Sequence, residues 1–162
     1  MQIFLVRHAH AVDAAEDLER PLSKRGRKQV RTLGRFLKPS SVLQPAEFWH
    51  SPLARAKETA GLLRQWLGSR AKLVTVADLE SGNGIARLAE RLQKCRRPVA
   101  LVGHEPHLSA LASLLITGQA EPTLLVVKKC AVVALERTGA RWVVRWHLSP
   151  ELLGSASGRT ED

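Results

Sequence analysis

Short apolar runs alternate along the chain with segments in which apolar residues return every three or four positions. The runs predict buried strands, and the wider spacing predicts helices with one apolar face. The first run is typical, because Ile3, Phe4, Leu5 and Val6 leave no polar face. The pattern predicts strands at 2–7, 46–50, 72–77, 98–102, 131–136 and 141–148, and helices between Ser23 and Pro39 and at 53–67, 85–93 and 107–116.

The order of these elements predicts the fold class. Strands that alternate with helices form a mostly parallel sheet with helices on both faces. The last two strands follow one another through a turn at 138–140, which predicts a hairpin and an antiparallel edge. We therefore expect one α/β domain over 1–153. The small polar residues of 154–162 predict a disordered C-terminal tail.

Length and cysteine content exclude several classes of protein. The chain has 162 residues, a size that one hydrophobic core commonly spans. No apolar run approaches the roughly 20 residues that cross a bilayer, and the first residues lack the features of a secretory signal. Cys95 and Cys130 fit no metal spacing and no disulfide framework. We therefore expect a cytoplasmic protein with no membrane partner.

The net charge is the unusual feature of the composition. Lysine and arginine number 25 against 15 aspartates and glutamates, which leaves +10 at pH 7. Such an excess favours an anionic partner: nucleic acid, an acidic protein, a membrane surface or a phosphorylated substrate. Aromatic residues make up only 4% of the chain and tyrosine is absent, which argues against single-strand binding by base stacking.

Polar side chains follow the carboxyl ends of the four strands predicted to be parallel. Ligands bind outside these ends in open α/β sheets. Two histidines, two arginines, a serine and two carboxylates therefore converge on one edge, although they are far apart in the sequence. They are Arg7 and His8 after the first strand, Ser51 and Arg55 after the second, Glu80 after the third, and His104 and Glu105 after the fourth.

The chemistry of this set indicates phosphoryl transfer. Two guanidinium groups present fixed forks of donors that match the oxygens of a phosphoryl group. A neutral imidazole beside them can attack phosphorus and form a covalent phosphohistidine. A second imidazole can donate to a phosphoryl oxygen as charge grows in the transition state. Gly103 before His104 allows the backbone to turn sharply.

Four motifs, in the same order, resemble those of the histidine phosphatase (phosphoglycerate-mutase-like) superfamily. The segment 5–9, Leu-Val-Arg-His-Ala, resembles its RHG signature, but Ala9 replaces the usual glycine, so the loop has to accommodate a Cβ. The segment 51–59 is similar to its SPLxRAxET stretch, and 102–106 is similar to its second-histidine loop. The segment 20–26 resembles a stretch of the short SixA-type phosphohistidine phosphatases. The resemblance covers nearly the whole chain.

This resemblance implies a three-layer α/β/α sandwich and a reaction that uses no metal and no cofactor. It implies that His8 is the nucleophile and that Arg7 and Arg55 clamp the phosphoryl group. It also implies that His104 is the second histidine of the pocket. Ser51 either contributes to the pocket or only shapes the turn.

Three further residues are candidates for substrate binding. Many superfamily members place a glutamate after the third strand, which suggests Glu80 as a general acid, whereas SixA-type members generally lack a dedicated acid. Glu80 could equally cap the third helix or face solvent. Arg20 is a candidate for the rim of the pocket or for a surface salt bridge. Glu105 directly follows the second histidine of the pocket.

The first helix carries a dense run of basic residues over 24–35. The interpretation we favour is the solvated face of an amphipathic helix. A docking surface for an acidic protein is a second interpretation, and nucleic-acid binding is a third.

Three hypotheses about function follow from these observations. The first is a SixA-type monomer that hydrolyses phosphohistidine on a histidine-phosphotransfer or phosphotransferase-system protein and releases inorganic phosphate. The short connection between the third and fourth strands favours it, because an open pocket admits a histidine displayed on another protein. The second is a phosphatase of small phosphate esters that uses Glu80 as the acid. The third is a basic binding module with an inactive pocket, for an acidic protein or, less favoured, nucleic acid.

Overall fold

The computed structural model describes residues 1–82 and 84–154, and its central element is a six-stranded sheet. The strands are β1 Gln2–Arg7, β2 Glu47–His50, β3 Lys72–Thr75, β4 Val99–Gly103, β5 Val132–Thr138 and β6 Arg141–Leu148. The helices are α1 Lys24–Leu37, α2 Ala54–Leu67, α3 Ile85–Lys94, α4 His107–Thr117 and α5 Pro150–Gly154, with 3-10 turns at Asp17–Glu19 and Ala77–Leu79.

The sheet combines a parallel part with an antiparallel edge. Its strand order is β3-β2-β4-β1-β5-β6. The four strands from β3 to β1 run parallel, while β5 is antiparallel to β1 and β6 is antiparallel to β5. The turn between β5 and β6 contains Gly139 with a φ of 63°, a conformation that favours glycine. The predicted parallel sheet with an antiparallel edge is confirmed.

Alternate residues of β1 enter two separate hydrophobic cores. Ile3 and Leu5 pack with α3 and α4 on one face of the sheet. Phe4 and Val6 pack with α1 and α2 on the other face. Helices therefore cover both sides of the strand, which explains its unbroken apolar run. These layers form the three-layer α/β/α sandwich that the resemblance implies.

Two elements differ from those predicted. β3 ends at Thr75, and residues 77–79 form a 3-10 turn instead of continuing the strand. α5 was absent from the predicted elements because five residues are too few to show an apolar periodicity, and in the fold it packs against α1. Gly154 ends this helix. The other residues of the predicted tail, 155–162, lie outside the described residues.

The topology opens a crevice between β1 and β4. The chain continues from β1 to α1 on one face of the sheet and from β4 to α4 on the opposite face. Because β1 and β4 are neighbours, their carboxyl ends form the position where open α/β sheets bind ligands. Arg7 pairs with Gly103 at this edge, and the N–H of His8 donates to the Gly103 carbonyl over 3.0 Å.

Candidate active site

The two histidines singled out in the sequence lie side by side in the crevice. His8 follows β1 and His104 follows β4, and the centroids of their rings are 5.0 Å apart. Only 8% of His8 and 5% of His104 are exposed. Ser51, which follows β2, lies with its Oγ 2.6 Å from Nε2 of His104. The sheet thus brings together side chains from the ends of three strands.

The hydrogen bond of His8 decides which ring nitrogen is free. Nδ1 lies 2.7 Å from the carbonyl oxygen of Ala9, and since a carbonyl only accepts, Nδ1 carries the proton and Nε2 holds a lone pair. The pKa of this imidazole is lowered to about 4, chiefly because burial disfavours the charged form. The positive charges of Arg55, Arg7 and Lys129 act in the same direction. At neutral pH the ring is therefore uncharged, as a nucleophile has to be.

Ala9 takes the place of the usual glycine without backbone strain. Among the described residues other than glycine, a positive φ occurs only at Ser41 and Cys130. The side chain of Ala9 is buried in the core beneath α1 and α2. Its N–H donates to Oγ1 of Thr59 over 3.0 Å, and the Thr59 hydroxyl donates to the carbonyl of Arg55 over 2.7 Å. These bonds tie the loop after β1 to the turn of α2 that carries Arg55.

Arg55 is held by a residue that the sequence analysis did not single out. Its Nη1 donates to the carbonyl oxygen of Asp17 over 2.7 Å, and its Nη2 donates to the Asp17 carboxylate over 2.9 Å. Arg20 supports the same carboxylate over 3.1 Å and also contacts Asp13. The hydrogen bond from Arg55 is the main reason why the pKa of Asp17 lies below its ordinary value. The ionised carboxylate therefore positions Arg55.

Arg7 is oriented by the loop that precedes β5. Its Nη1 donates to the carbonyl oxygen of Val127 over 3.1 Å. The N–H of Val127 donates to Oε1 of Glu105 over 2.8 Å. The same carboxylate accepts from the hydroxyl of Ser109 over 2.6 Å and from its N–H over 3.2 Å. Both oxygens of Glu105 are thus engaged in fastening this loop to the first turn of α4.

At the site, two buried nitrogens lack a hydrogen-bond partner within the described residues. They are Nε of Arg7 and Nδ1 of His104. Burial, followed by the charges of His8 and Arg55, lowers the pKa of His104 to about 3. When the Ser51 hydroxyl donates to Nε2, the neutral ring carries its hydrogen on Nδ1. Buried polar groups are almost always hydrogen-bonded, so these unpartnered nitrogens of Arg7 and His104, together with the charge of Arg55, favour an anion site.

These side chains surround an open cavity of about 270 Å³. Of the site residues predicted from the sequence, two do not line it: Ser51 is fully buried beneath His104, and Arg20 lies behind Asp17. The residues that line the cavity are Arg7, His8, Asp17, Leu53, Arg55, Glu80, Ser81, His104 and Glu105. Asp17, Leu53 and Ser81 were not among the site residues predicted from the sequence.

The donor set of the cavity suits an oxyanion. The guanidinium groups of Arg7 and Arg55 can direct several N–H groups at the oxygens of one phosphoryl group. The N–H of His8 is already bonded to the Ala9 carbonyl, so this ring offers its Nε2 lone pair instead. Over residues 1–82 and 84–154, no group of three or more His, Cys, Asp or Glu side chains is arranged to hold a metal ion.

Comparison with known proteins gives a match to a family model and a relative that matches over nearly the whole chain. The model of the histidine phosphatase superfamily (branch 1) matches residues 3–82. Phosphohistidine phosphatase SixA of Escherichia coli K12 is 26% identical over 155 residues, which cover 93% of this chain and 94% of that protein.

Solved structures share the fold over nearly their whole length. The protein histidine phosphatase SixA complexed with tungstate has a TM-score of 0.85 at 24% identity, over 94% of this chain and 99% of its own. The alpha-ribazole phosphatase of Shigella flexneri has a TM-score of 0.75 at 18% identity, over 93% of this chain and 97% of its own.

Fold, motifs and relatives agree on the class of the protein, which is a phosphatase. It is similar to the histidine phosphatase superfamily, and the resemblance seen in its four motifs is confirmed. Within the described part of the chain, no helix is both long enough and apolar enough to cross a membrane.

Proposed function

We propose that the protein hydrolyses phosphohistidine on another protein through a covalent intermediate on His8. The proposal depends on one observation: an uncharged His8 with a free Nε2 lone pair shares a cavity with two guanidinium groups. Attack on phosphorus requires that the negative charge of its oxygens is neutralised. Arg7 and Arg55 supply the positive charge that neutralises it. The neutral ring of His104 lines the same cavity beside His8.

The reaction consists of two displacements. Nε2 of His8 attacks phosphorus while the phosphorus–nitrogen bond to the substrate imidazole breaks. A substrate ring that is protonated on its other nitrogen leaves as neutral imidazole, so this step requires no separate acid. His8 is then a phosphoimidazolium whose Nδ1 proton stays bonded to the Ala9 carbonyl. Water attacks phosphorus, His8 leaves as the neutral ring, and dihydrogen phosphate is released.

An open cavity supports a protein as the substrate. The described part of the connection between β3 and β4 contains a 3-10 turn and α3, with no long insertion that would cover the cavity. A histidine that projects from a partner can therefore reach His8. The relative that matches over 93% of this chain is a phosphohistidine phosphatase. We propose histidine-phosphotransfer or phosphotransferase-system proteins as the partners, and the cytoplasm as the compartment.

The central test replaces the nucleophile. His8→Asn keeps a donor near the Ala9 carbonyl but removes the lone pair that attacks phosphorus. We expect it to lower phosphate release from a histidine-phosphorylated phosphotransfer protein by about 10³-fold or more. His147→Asn, a change to an exposed histidine on β6, is the matched control and should keep wild-type activity. Equal release by His8→Asn and the wild type would refute the assignment of the nucleophile.

Hydrolysis of a small phosphate ester is the second candidate function. Glu80 lies in the cavity wall, and an alkoxide leaving group has a stronger need for an acid than an imidazole has. If esters are the natural substrates, Glu80→Gln will lower kcat on them at least as much as His104→Gln does. If phosphohistidine is the substrate, Glu80→Gln will leave its hydrolysis within a factor of about three of wild type. The ratio of the two activities in this variant decides between the candidates.

A further inference from the structure

A groove between α1 and α2 combines concentrated positive charge with an apolar floor. It has a volume of about 350 Å³. Its walls come from basic side chains of α1 and its floor from two apolar side chains of α2. We define this basic groove by its lining residues, which are Lys24, Arg27, Lys28, Arg31, Leu62 and Trp66.

The charge of the groove follows from the spacing of residues on α1. Positions 24, 27, 28 and 31 share one helical face because they follow the i, i+3, i+4, i+7 rule. α1 has six exposed lysines and arginines and no acidic residue. Among the described residues, Arg27 alone of these six forms an ion pair, with Glu58 over 2.9 Å. The groove therefore presents cations that the fold itself does not neutralise.

The floor of the groove is apolar and half-buried. Leu62 and Trp66 lie four residues apart on α2, so they form a short stripe along the groove. Gly34 of α1 packs directly against Trp66, and a Cβ built on this glycine would overlap Cβ of Trp66. The close approach of the two helices fixes the indole at the base of the groove. A stripe of this kind is suited to the apolar face of a helix.

The groove begins beside the catalytic cavity. Ser23, which caps α1, is hydrogen-bonded to His10, two residues beyond His8. Its N–H donates to the His10 carbonyl over 3.0 Å, and its Oγ lies 2.8 Å from Nδ1 of His10. Burial is the main cause of the lowered pKa of both His8 and His10, and the charge of Lys129 acts in the same direction on both. The charge of Arg25 also acts on His10. Positive charge thus continues from the cavity to the first turn of α1. From there the lining residues Lys24 to Arg31 extend about 10 Å along the helix.

We propose that the basic groove docks an acidic amphipathic helix of the phosphorylated partner. The proposal rests on the proposed function and names the chemistry of its partner. Glutamates or aspartates of that helix pair with the lysines and arginines of α1, while its apolar side chains cover Leu62 and Trp66. The docked helix holds the partner's phosphohistidine at the neighbouring cavity.

Nucleic acid fits this groove less well than an acidic helix. An RNA strand would present phosphates along its length and would require platforms on which bases stack. Trp66 is the one aromatic residue in the groove lining and is packed against Gly34. A row of cations beside an apolar stripe matches the polar and apolar faces of an amphipathic helix instead.

The binding test uses a stapled helical peptide with a glutamate-rich and a leucine-rich face, and the same peptide with glutamine in place of glutamate. The groove variant is Lys24→Gln/Lys28→Gln/Arg31→Gln, which keeps the Arg27–Glu58 pair. The control variant is Lys94→Gln/Arg96→Gln/Arg97→Gln, which removes the same charge from exposed residues just before β4. These residues lie at the amino ends of the parallel strands, whereas the cavity lies at their carboxyl ends. Fluorescence anisotropy gives Kd, and circular dichroism checks folding.

We expect the wild type and the control variant to bind the glutamate peptide about tenfold more tightly than the groove variant does, because three surface charge pairs are lost. The preference for the glutamate peptide should decrease as salt is raised. Equal Kd values for the two peptides, or equal weakening by both variants, overturns the proposal. The proposal is also overturned if the wild type binds single-stranded RNA more tightly than the glutamate peptide and the groove variant loses this RNA binding.

An activity measurement separates this proposal from the proposed function. Both peptides, each with one histidine phosphorylated by phosphoramidate, are compared as substrates with free phosphohistidine. Docking predicts that the groove variant loses the preference for the glutamate peptide and keeps the wild-type kcat/KM on free phosphohistidine. Wild-type protein that binds the glutamate peptide but hydrolyses none of the three substrates refutes the proposed function and leaves the groove established.

Discussion

A single backbone carbonyl sets the tautomer of His8. The Ala9 oxygen accepts from Nδ1, so the lone pair is confined to Nε2, and burial keeps the ring uncharged. Neither effect requires a carboxylate partner. The proposed nucleophile is therefore prepared by backbone geometry and desolvation, and it can form a phosphoimidazolium without moving the Nδ1 proton.

Direct observation of the ring nitrogens tests this account at the residue scale. We expect long-range ¹H–¹⁵N NMR spectra to show His8 as the neutral Nδ1–H form from pH 8 down to about pH 5, because its pKa is lowered to about 4. His8→Asn assigns the signal by removing it. A midpoint near the ordinary histidine value of about 6.5 would contradict the lowering of the pKa by burial. A hydrogen on Nε2 would contradict the described hydrogen bond.

At the scale of elements, the contact of α1 with α2 depends on one glycine. Gly34 is buried in the middle of α1, where glycine costs about 1 kcal/mol relative to alanine. The cost is tolerated because Trp66 occupies the space of a side chain. This packing brings the two helices together and forms the basic groove.

A matched pair of substitutions measures this packing. Gly34→Ala should lower the free energy of unfolding by about 1–3 kcal/mol, because the added methyl group forces α1 away from Trp66. Gly61→Ala, inside α2 with nothing within 4 Å of the new Cβ, should raise it by about 0.5–1 kcal/mol. Urea unfolding gives both values. Stabilisation by Gly34→Ala would show that the helices are not in close contact.

At the scale of the whole molecule, the neutral histidines of the site link stability to pH. His8 and His104 stay neutral in the fold, with pKa values lowered to about 4 and about 3, but bind protons near pH 6.5 when the chain is unfolded. Below pH 6.5 the unfolded state therefore binds more protons than the folded state. The free energy of unfolding must then decrease as the pH falls from 6.5 toward 4.

Chemical denaturation at two pH values tests this linkage. We expect the free energy of unfolding to fall between pH 7 and pH 5, with each of the two histidines contributing about 2 kcal/mol. His104→Gln keeps a polar group near Ser51 and removes one titrating ring, so its decrease should be smaller by about that amount. A decrease of equal size in the wild type and in His104→Gln would show that His104 is not held neutral.

The predictions of strands, helices and strand order that the structure confirms come from local patterns in the sequence. The unbroken apolar run of β1 indicates a strand covered on both faces, and the order of strands and helices indicates which residues follow the carboxyl ends. Arg7, His8, Arg55 and His104 meet in one cavity for this reason. Asp17 lies in a polar stretch without periodicity, and its contact with Arg55 joins positions 38 residues apart, so no local pattern indicated it.

The sequence by itself determined the order of the elements, the class of the fold and the residue types available for phosphoryl chemistry, because strand and helix periodicities and motif spacings are local properties of the chain. The tertiary structure alone decided that Ala9 orients His8, that Asp17 holds Arg55, that Glu105 fastens a loop to α4 and that Trp66 lies beneath the cations of α1. Each of these contacts depends on the direction of a side chain and on burial by distant segments, which arise only when the layers pack together.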